Sequence, residues 1–135
     1  MIFLKEMIDK IFEDSLRIAD KIYTTSEGTW SPPVDLYETE SEFILKAEVP
    51  EIRQEDIFIK LDSNLLTIEG ERRIRREKIE GYHRIERPYG RFKRSFILPE
   101  SVDSDSVRAS LQNGVLKIIL PKKEEKIQTH IDISD

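Results

Sequence analysis

The stretch Ala109-Ser110-Leu111-Gln112-Asn113-Gly114-Val115-Leu116-Lys117-Ile118-Ile119-Leu120-Pro121-Lys122 decides how the rest of the chain is read. Two apolar runs flank one Asn-Gly pair. Asn and Gly both accept a positive φ at low cost, so the pair favours the tight turn whose twist matches that of two antiparallel strands. On the first arm Val107, Ala109 and Leu111 alternate with polar residues, the period of a half-buried strand. The second arm, residues 115–120, is apolar on both faces except at Lys117, as expected of a strand covered on both sides. Pro121 has no amide proton to give to a ladder and ends the strand.

Outward from this hairpin the same period of two recurs. Val34 and Leu36 alternate; Phe43, Leu45, Ala47 and Val49 alternate up to Pro50; Ile57, Ile59 and Leu61 alternate up to Asp62-Ser63-Asn64. Leu66 and Ile68 lead to Gly70, and Phe92, Phe96 and Leu98 lead to Pro99. Short strands separated by regular turn signals argue for an antiparallel sandwich. No long helical pattern lies between them, which argues against βαβ units.

Residues 2–23 have a different period. Leu4, Met7, Ile8, Ile11, Phe12, Leu16, Ala19 and Ile22 share one side of a 3.6-residue wheel, with Glu6, Asp9, Glu13, Arg17 and Asp20 on the other. The spacing predicts one amphipathic helix, ended by Gly28 and Pro32-Pro33, with Trp30 in the linker that follows. Its stripe either packs on its own domain or serves as a sticky arm for other surfaces. Residues 72–88 lack clear periodicity and are long for a loop inside a compact domain, the kind of loop that is usually functional or disordered. Tyr82-His83-Arg84-Ile85 within it has the composition of a short strand, and the basic run 72–76 reads as a solvated or ion-paired hinge. After Pro121 a charged tether, Lys122-Lys123-Glu124-Glu125-Lys126, leads to Ile131 and Ile133. In extended chain these two isoleucines face one side about 7 Å apart. Such a pair in a polar tail either folds back on its own domain or needs an apolar receptor elsewhere.

The chain of 135 residues is charge-rich, with 36% charged and 38% hydrophobic residues, which suits one domain with tails. Its net charge of −5 is unevenly placed: residues 71–94 hold ten Lys/Arg against four Glu, a local +6, which leaves −11 to the remainder. Without cysteine there is no disulfide, thiolate nucleophile or Cys-ligated metal, and the reducing cytoplasm is the expected compartment. Lys5, Glu6, Asp9 and Lys10 interrupt the N-terminal apolar run, so neither a signal peptide nor a membrane span is expected. His83 and His130 have no second His or Cys at ligand spacing. No nucleophile elbow and no phosphate-cradling loop is present. No catalytic residue, cofactor or metal site is expected, and ATP-driven work has no visible machinery. The basic segment 72–94 raises one rival of another class, a nucleic-acid-binding β module, with Tyr82, Tyr89 and Phe92 nearby but not regularly spaced as stacking platforms.

Three motifs in order add a family resemblance covering residues 31–133. Ala109-x-Leu111-x-Asn113-Gly114-Val115-Leu116, with its strand and Pro121-Lys122, resembles the signature of the α-crystallin domain of small heat-shock proteins. Tyr89-Gly90-Arg91-Phe92-Lys93-Arg94-Ser95-Phe96-Ile97-Leu98-Pro99 resembles the family's second signature in its bacterial, archaeal and plant form. Ile131-Asp132-Ile133 resembles its Ile-x-Ile tag. The resemblance implies an all-β, immunoglobulin-like antiparallel sandwich, with a helical arm at 1–29, the α-crystallin domain at 30–121 and a C-terminal extension at 122–135. It also implies a stress-response holdase chaperone, not an enzyme, that assembles dimers into a larger homo-oligomer and binds unfolded proteins, with no specific nucleic acid and no membrane span. A monomeric co-chaperone of the same fold is a nearer alternative, though such proteins lack the tag. Residue by residue, the resemblance implies that Tyr82, His83, Arg84 and Ile85 pair with a partner's Val34 and Leu36. It implies that Ile131 and Ile133 enter a groove lined by Ile57, Ile59, Val107 and Ala109. Phe3, Leu4, Ile8, Ile11 and Phe12 would serve clients and assembly. Gly114 and Arg94 would be structural, Arg94 pairing with acidic groups as the family's strand arginine does.

Overall fold

The computed structural model describes residues 4–9, 22–74, 79–124 and 132–134. Among these, eight strands form: β1 (Tyr23–Gly28), β2 (Val34–Glu38), β3 (Glu42–Glu48), β4 (Ile57–Asp62), β5 (Leu65–Arg72), β6 (Gly90–Ile97), β7 (Arg108–Gln112) and β8 (Val115–Pro121). They make two four-stranded antiparallel sheets, ordered β1-β6-β5-β4 and β2-β3-β8-β7. The all-β sandwich expected from the period-two pattern is the fold. Asn113 and Gly114 turn β7 into β8 with φ of 53° and 76°, the pair of positive angles for which Asn-Gly is suited. A Cβ on Gly114 would lie 3.0 Å from Pro50 Cα, and its carbonyl accepts from Val49 N–H at 2.7 Å, so this turn also seats the start of the β3–β4 connection.

The alternating residues are the core. Phe43, Leu45, Ala47, Val49, Leu66, Ile68, Leu98, Ile118 and Leu120 have no exposed surface, and Phe92, Phe96 and Leu116 are nearly as buried. Each such side chain larger than that of Ala47 contributes about 1.5–3 kcal/mol of burial. Gly70 is required by this packing, because a Cβ there would lie 2.6 Å from the Phe92 ring. The β4–β5 turn passes through Ser63 at φ 58°, and Asn64 ties it to β6's end: Leu98 N–H donates to Asn64 O, and Asn64 Nδ2 donates to Leu98 O, both at 2.8 Å.

Three expectations need correction. The single helix over 2–23 does not reach its expected end: residues 4–9 are helical and 10–21 lie outside the described residues, whereas Tyr23 opens β1, which pairs along its whole length with β6. The sandwich therefore begins at Tyr23 and not at residue 30, and Gly28 ends a strand instead of a helix. β8 is not covered on both sides: Leu116, Ile118 and Leu120 face the core, but Val115 and Ile119 on the other face are half-exposed. Finally, Arg72 is no solvated hinge residue. It continues the inward phase of β5 and is 4% exposed.

Candidate functional site

β4 and β7 are edge strands of different sheets, and a cavity of about 340 Å³ opens between them. Its lining includes Ile57 and Ile59 from β4, Ala109 and Leu111 from β7, and Leu116 beneath. Strand alternation explains the lining: Ala109 pairs with Ile118 and Leu111 with Leu116, so both share the inward phase. Gln54 and Ser110 give the cavity polar borders. Three of the four residues expected to line a groove, Ile57, Ile59 and Ala109, do so. Val107 does not: it precedes β7 and packs against the core. Leu111 and Leu116 were missed as lining, although their place in the Asn-Gly hairpin was plain. Of the tag, Ile133 is 96% exposed, and Ile131 lies outside the described residues.

At the other side of the second sheet, β2 is an edge strand, with Val34 and Leu36 packed inward against the core. Within a single chain Tyr82, His83, Arg84 and Ile85 form no strand; all four are exposed, Tyr82 at 49% and Ile85 at 50%. Arg84 pairs locally with Glu86 at 2.9 Å. What the sequence reading missed is the clamp at the base of this loop. Arg72 Nε donates to Pro50 O at 3.0 Å, its NH1 donates to Pro88 O at 2.9 Å, and its guanidinium stacks over the Trp30 ring at 4.4 Å. Trp30 in turn donates from Nε1 to Gly90 O at 2.9 Å and packs edge-on against Phe92. Burial, and next the neighbouring charge of Arg87, lower the Arg72 pKa. One side chain thus joins the loop's two ends to the domain, and the signal for it was the alternation Leu66, Ile68, Gly70, Arg72.

Arg94 lies inward on β6, but its partners are not the acidic groups expected. Its NH2 donates to Thr24 Oγ1 at 3.1 Å and its NH1 to Pro32 O at 3.3 Å, and the guanidinium sits 5.0 Å from the Phe96 ring centroid. Its Nε is buried without a partner, and burial lowers its pKa. Among the described residues no carboxylate forms a salt bridge with it. Arg94→Ala therefore strands no buried counter-charge. It should cost about 1–2 kcal/mol, from hydrogen bonds and the ring contact, and not the roughly 3–5 kcal/mol of a broken buried ion pair. The denaturation midpoint should fall with an unchanged slope; a cost as large as that of a broken ion pair would show that a carboxylate does reach Arg94.

The Leu4 and Ile8 side chains of the 4–9 helix are each 57% exposed; Phe3, Ile11 and Phe12 lie outside the described residues. No described helix is long and apolar enough to cross a membrane.

The comparisons with known proteins agree with this geometry. The model of the Hsp20/alpha crystallin family matches residues 35–134. Small heat shock protein C4 of Rickettsia felis is 40% identical over 131 residues, which span 94% of this chain and 80% of that protein. A 17.8 kDa class I heat shock protein of Arabidopsis thaliana is 43% identical over 94 residues, 68% of this chain and 60% of that one. Among solved structures, a small heat-shock protein from Xylella fastidiosa superposes with a TM-score of 0.69 at 39% identity, covering 79% of this chain and 99% of that one. Small heat shock proteins are ATP-independent chaperones and not enzymes. Sandwich, Asn-Gly hairpin and extended matches together make this chain a member of the Hsp20/α-crystallin family of small heat shock proteins.

Proposed function

We propose that this chain is a holdase of the cytoplasm, binding partly unfolded proteins before they aggregate and working as a dimer-based homo-oligomer. The observation that carries the reading is the groove between β4 and β7, which presents Ile57, Ile59, Leu111 and Leu116, on a chain with an Ile-x-Ile tail. A sandwich with open edges invites strand pairing and needs cover, and a tag seated reversibly in a groove supplies cover that subunit exchange can lift. Dimers form when residues 82–85 of one chain add to the β2 edge of another. The N-terminal helix, with Leu4 and Ile8 exposed, is the main client element. The domains are the helical arm, the sandwich from β1 to β8 and the tail.

The test is heat-induced aggregation of an unrelated protein without nucleotide. The full chain should suppress it, and a chain lacking residues 1–21, which keeps β1, should remain soluble and suppress it poorly. Undiminished suppression by the truncated chain would refute the assignment to the helix. Deleting residues 81–86 should give folded monomers, and a normal dimer would rule out loop exchange. The nucleic-acid reading has less support: Phe92 is buried, Arg72 is occupied in the clamp, and Arg73, Arg84, Arg87 and Arg91 each pair with an acidic residue.

A further inference from the structure

β1 is a strand whose own side chains bury almost nothing. Its inward positions, opposite Phe96, Arg94 and Phe92, are Thr24, Ser26 and Gly28, and every residue of β1 is exposed. The edge strand on the far side of the same sheet instead packs Ile57 and Leu61 against the core, with Ile59 between them lining the groove. β1 therefore depends on its backbone ladder to β6 and on a few polar contacts, chiefly Arg94 to Thr24 and Ser26 Oγ to Ser31 Oγ at 2.9 Å. Its C-terminal end is different. Gly28 sits at φ 110° with no room for a Cβ beside Arg91 O, Thr29 N–H donates to Arg91 O at 2.9 Å, Thr29 Oγ1 donates to Tyr89 O, and Trp30 is pinned to Gly90. The strand is thus pinned tightly at Gly28–Trp30, while toward Tyr23 its holds are the ladder and Ile22, which packs partly buried against the core. Lifting it would also let water reach the buried, unpartnered Nε of Arg94, which lowers the cost of opening.

We propose that β1 is a displaceable cover, and that the β6 edge beneath it is a strand-addition site for an extended, alternately apolar segment of an unfolding protein. β1 itself shows the geometry such a segment would take: antiparallel, paired with β6 from Phe92 to Ile97. A client with apolar residues where Thr24 and Ser26 now sit would lay more apolar side chain against Phe96 and the stem of Arg94 than β1 does. On the outer face, Ile97 and Leu65 lie side by side in register, 45% and 38% exposed, and β1 extends that row with Tyr23. A client residue at that position would extend the apolar row in the same way. The two-sided preference is therefore for apolar chain, which unfolded proteins expose and native ones bury. This proposal rests on the holdase reading and deepens it.

The chain has no cysteine, so a lock can be introduced cleanly. Thr25 and Ser95 pair directly and face outward, at a separation that a disulfide spans. The full-length Thr25→Cys/Ser95→Cys protein, oxidised and reduced, would be compared with wild type and both single variants, using a cysteine-free client. Oxidation should remove most of the protection while leaving the oligomer mass unchanged, and reduction should restore it. Equal protection in both redox states overturns the proposal. A change of mass on oxidation also overturns it, because the edge would then serve assembly between copies. If wild type and reduced variant both fail to protect, the holdase reading falls and takes the proposal with it. Thr25→Pro, which removes a ladder donor from β1, provides a test without a disulfide. It should raise protection at temperatures where wild type protects weakly; unchanged or lower protection at unchanged mass counts against the site.

Discussion

Arg72→Ala should lower stability by about 3–4 kcal/mol, combining lost charge-assisted hydrogen bonds with a lost cation–π contact, and lower the melting temperature by roughly 10 °C or more. The guanidinium donates to the carbonyls of Pro50 and Pro88 and stacks on Trp30. Truncation leaves two carbonyls without their donor and a hollow beside an indole. The carbonyls belong to different segments: Pro50 ends the approach to the Gly114 turn, and Pro88 ends the loop proposed to reach a partner. The same change should thus weaken dimerisation, because the loop leaves the domain from an unfixed base. Arg72→Lys sharpens the test. Lysine keeps the charge but lacks both the fork that spans two carbonyls and the flat face that stacks on a ring. It should recover little of the lost stability. Thermal unfolding and sedimentation of the two variants suffice, and an Arg72→Ala protein with the wild-type melt and dimer would show that the clamp contributes nothing.

Arg72 also marks how far sequence reasoning reaches. The fold was legible because burial in a sandwich imposes a period of two, and the inward residues of β3, β5, β7 and β8 carry it without interruption. The same period, continued by one more step past Gly70, places Arg72 inward, although arginine in a basic run suggests solvent. β1 was illegible for a different reason. Thr24, Ser26 and Gly28 are its inward residues, so no apolar alternation exists to find, and the strand is defined by a partner distant in sequence, β6. Local pattern cannot show pairing of that kind. The groove lay between these cases. Ile57, Ile59 and Ala109 follow from alternation once the two edges are known, but Leu116 lines the cavity from the adjacent strand, and Val107 is taken by the core. Arg94's partners were likewise hidden, since Thr24 and Pro32 come close only when β1 and its linker fold back over β6.

Replacing Ile131 and Ile133 together by alanine should reduce the proposed large assembly to dimers or small oligomers. Ile133 is almost fully exposed in the single chain, a state that an isoleucine in a polar tail keeps only until a receptor is available. The cavity between β4 and β7 is the proposed receptor, with the apolar side chains of Ile57, Ile59, Leu111 and Leu116 in its lining beside the small side chain of Ala109. The tether is shorter than the sequence suggests, because Lys122 N–H donates to Ser41 O and Lys123 N–H to Ser101 O. The reach therefore counts from Glu124, and seven steps to Ile131 span at most about 23–25 Å. Burying two isoleucines is worth about 3–6 kcal/mol gross, from which the ordering of the tail subtracts about 1–2 kcal/mol per fixed residue. A single contact is therefore weak, and the proposed assembly would depend on many of them closing together. Loss of both side chains removes nearly all of that margin, so the expected change is in kind and not in degree. A tail seated on its own domain would give the opposite result, an unchanged mass by light scattering, and that outcome would sink the docking between dimers. Ala109→Trp fills the receptor without touching the tail and should give the same collapse. If the tail variant collapses and the groove variant does not, the tag binds elsewhere than between β4 and β7.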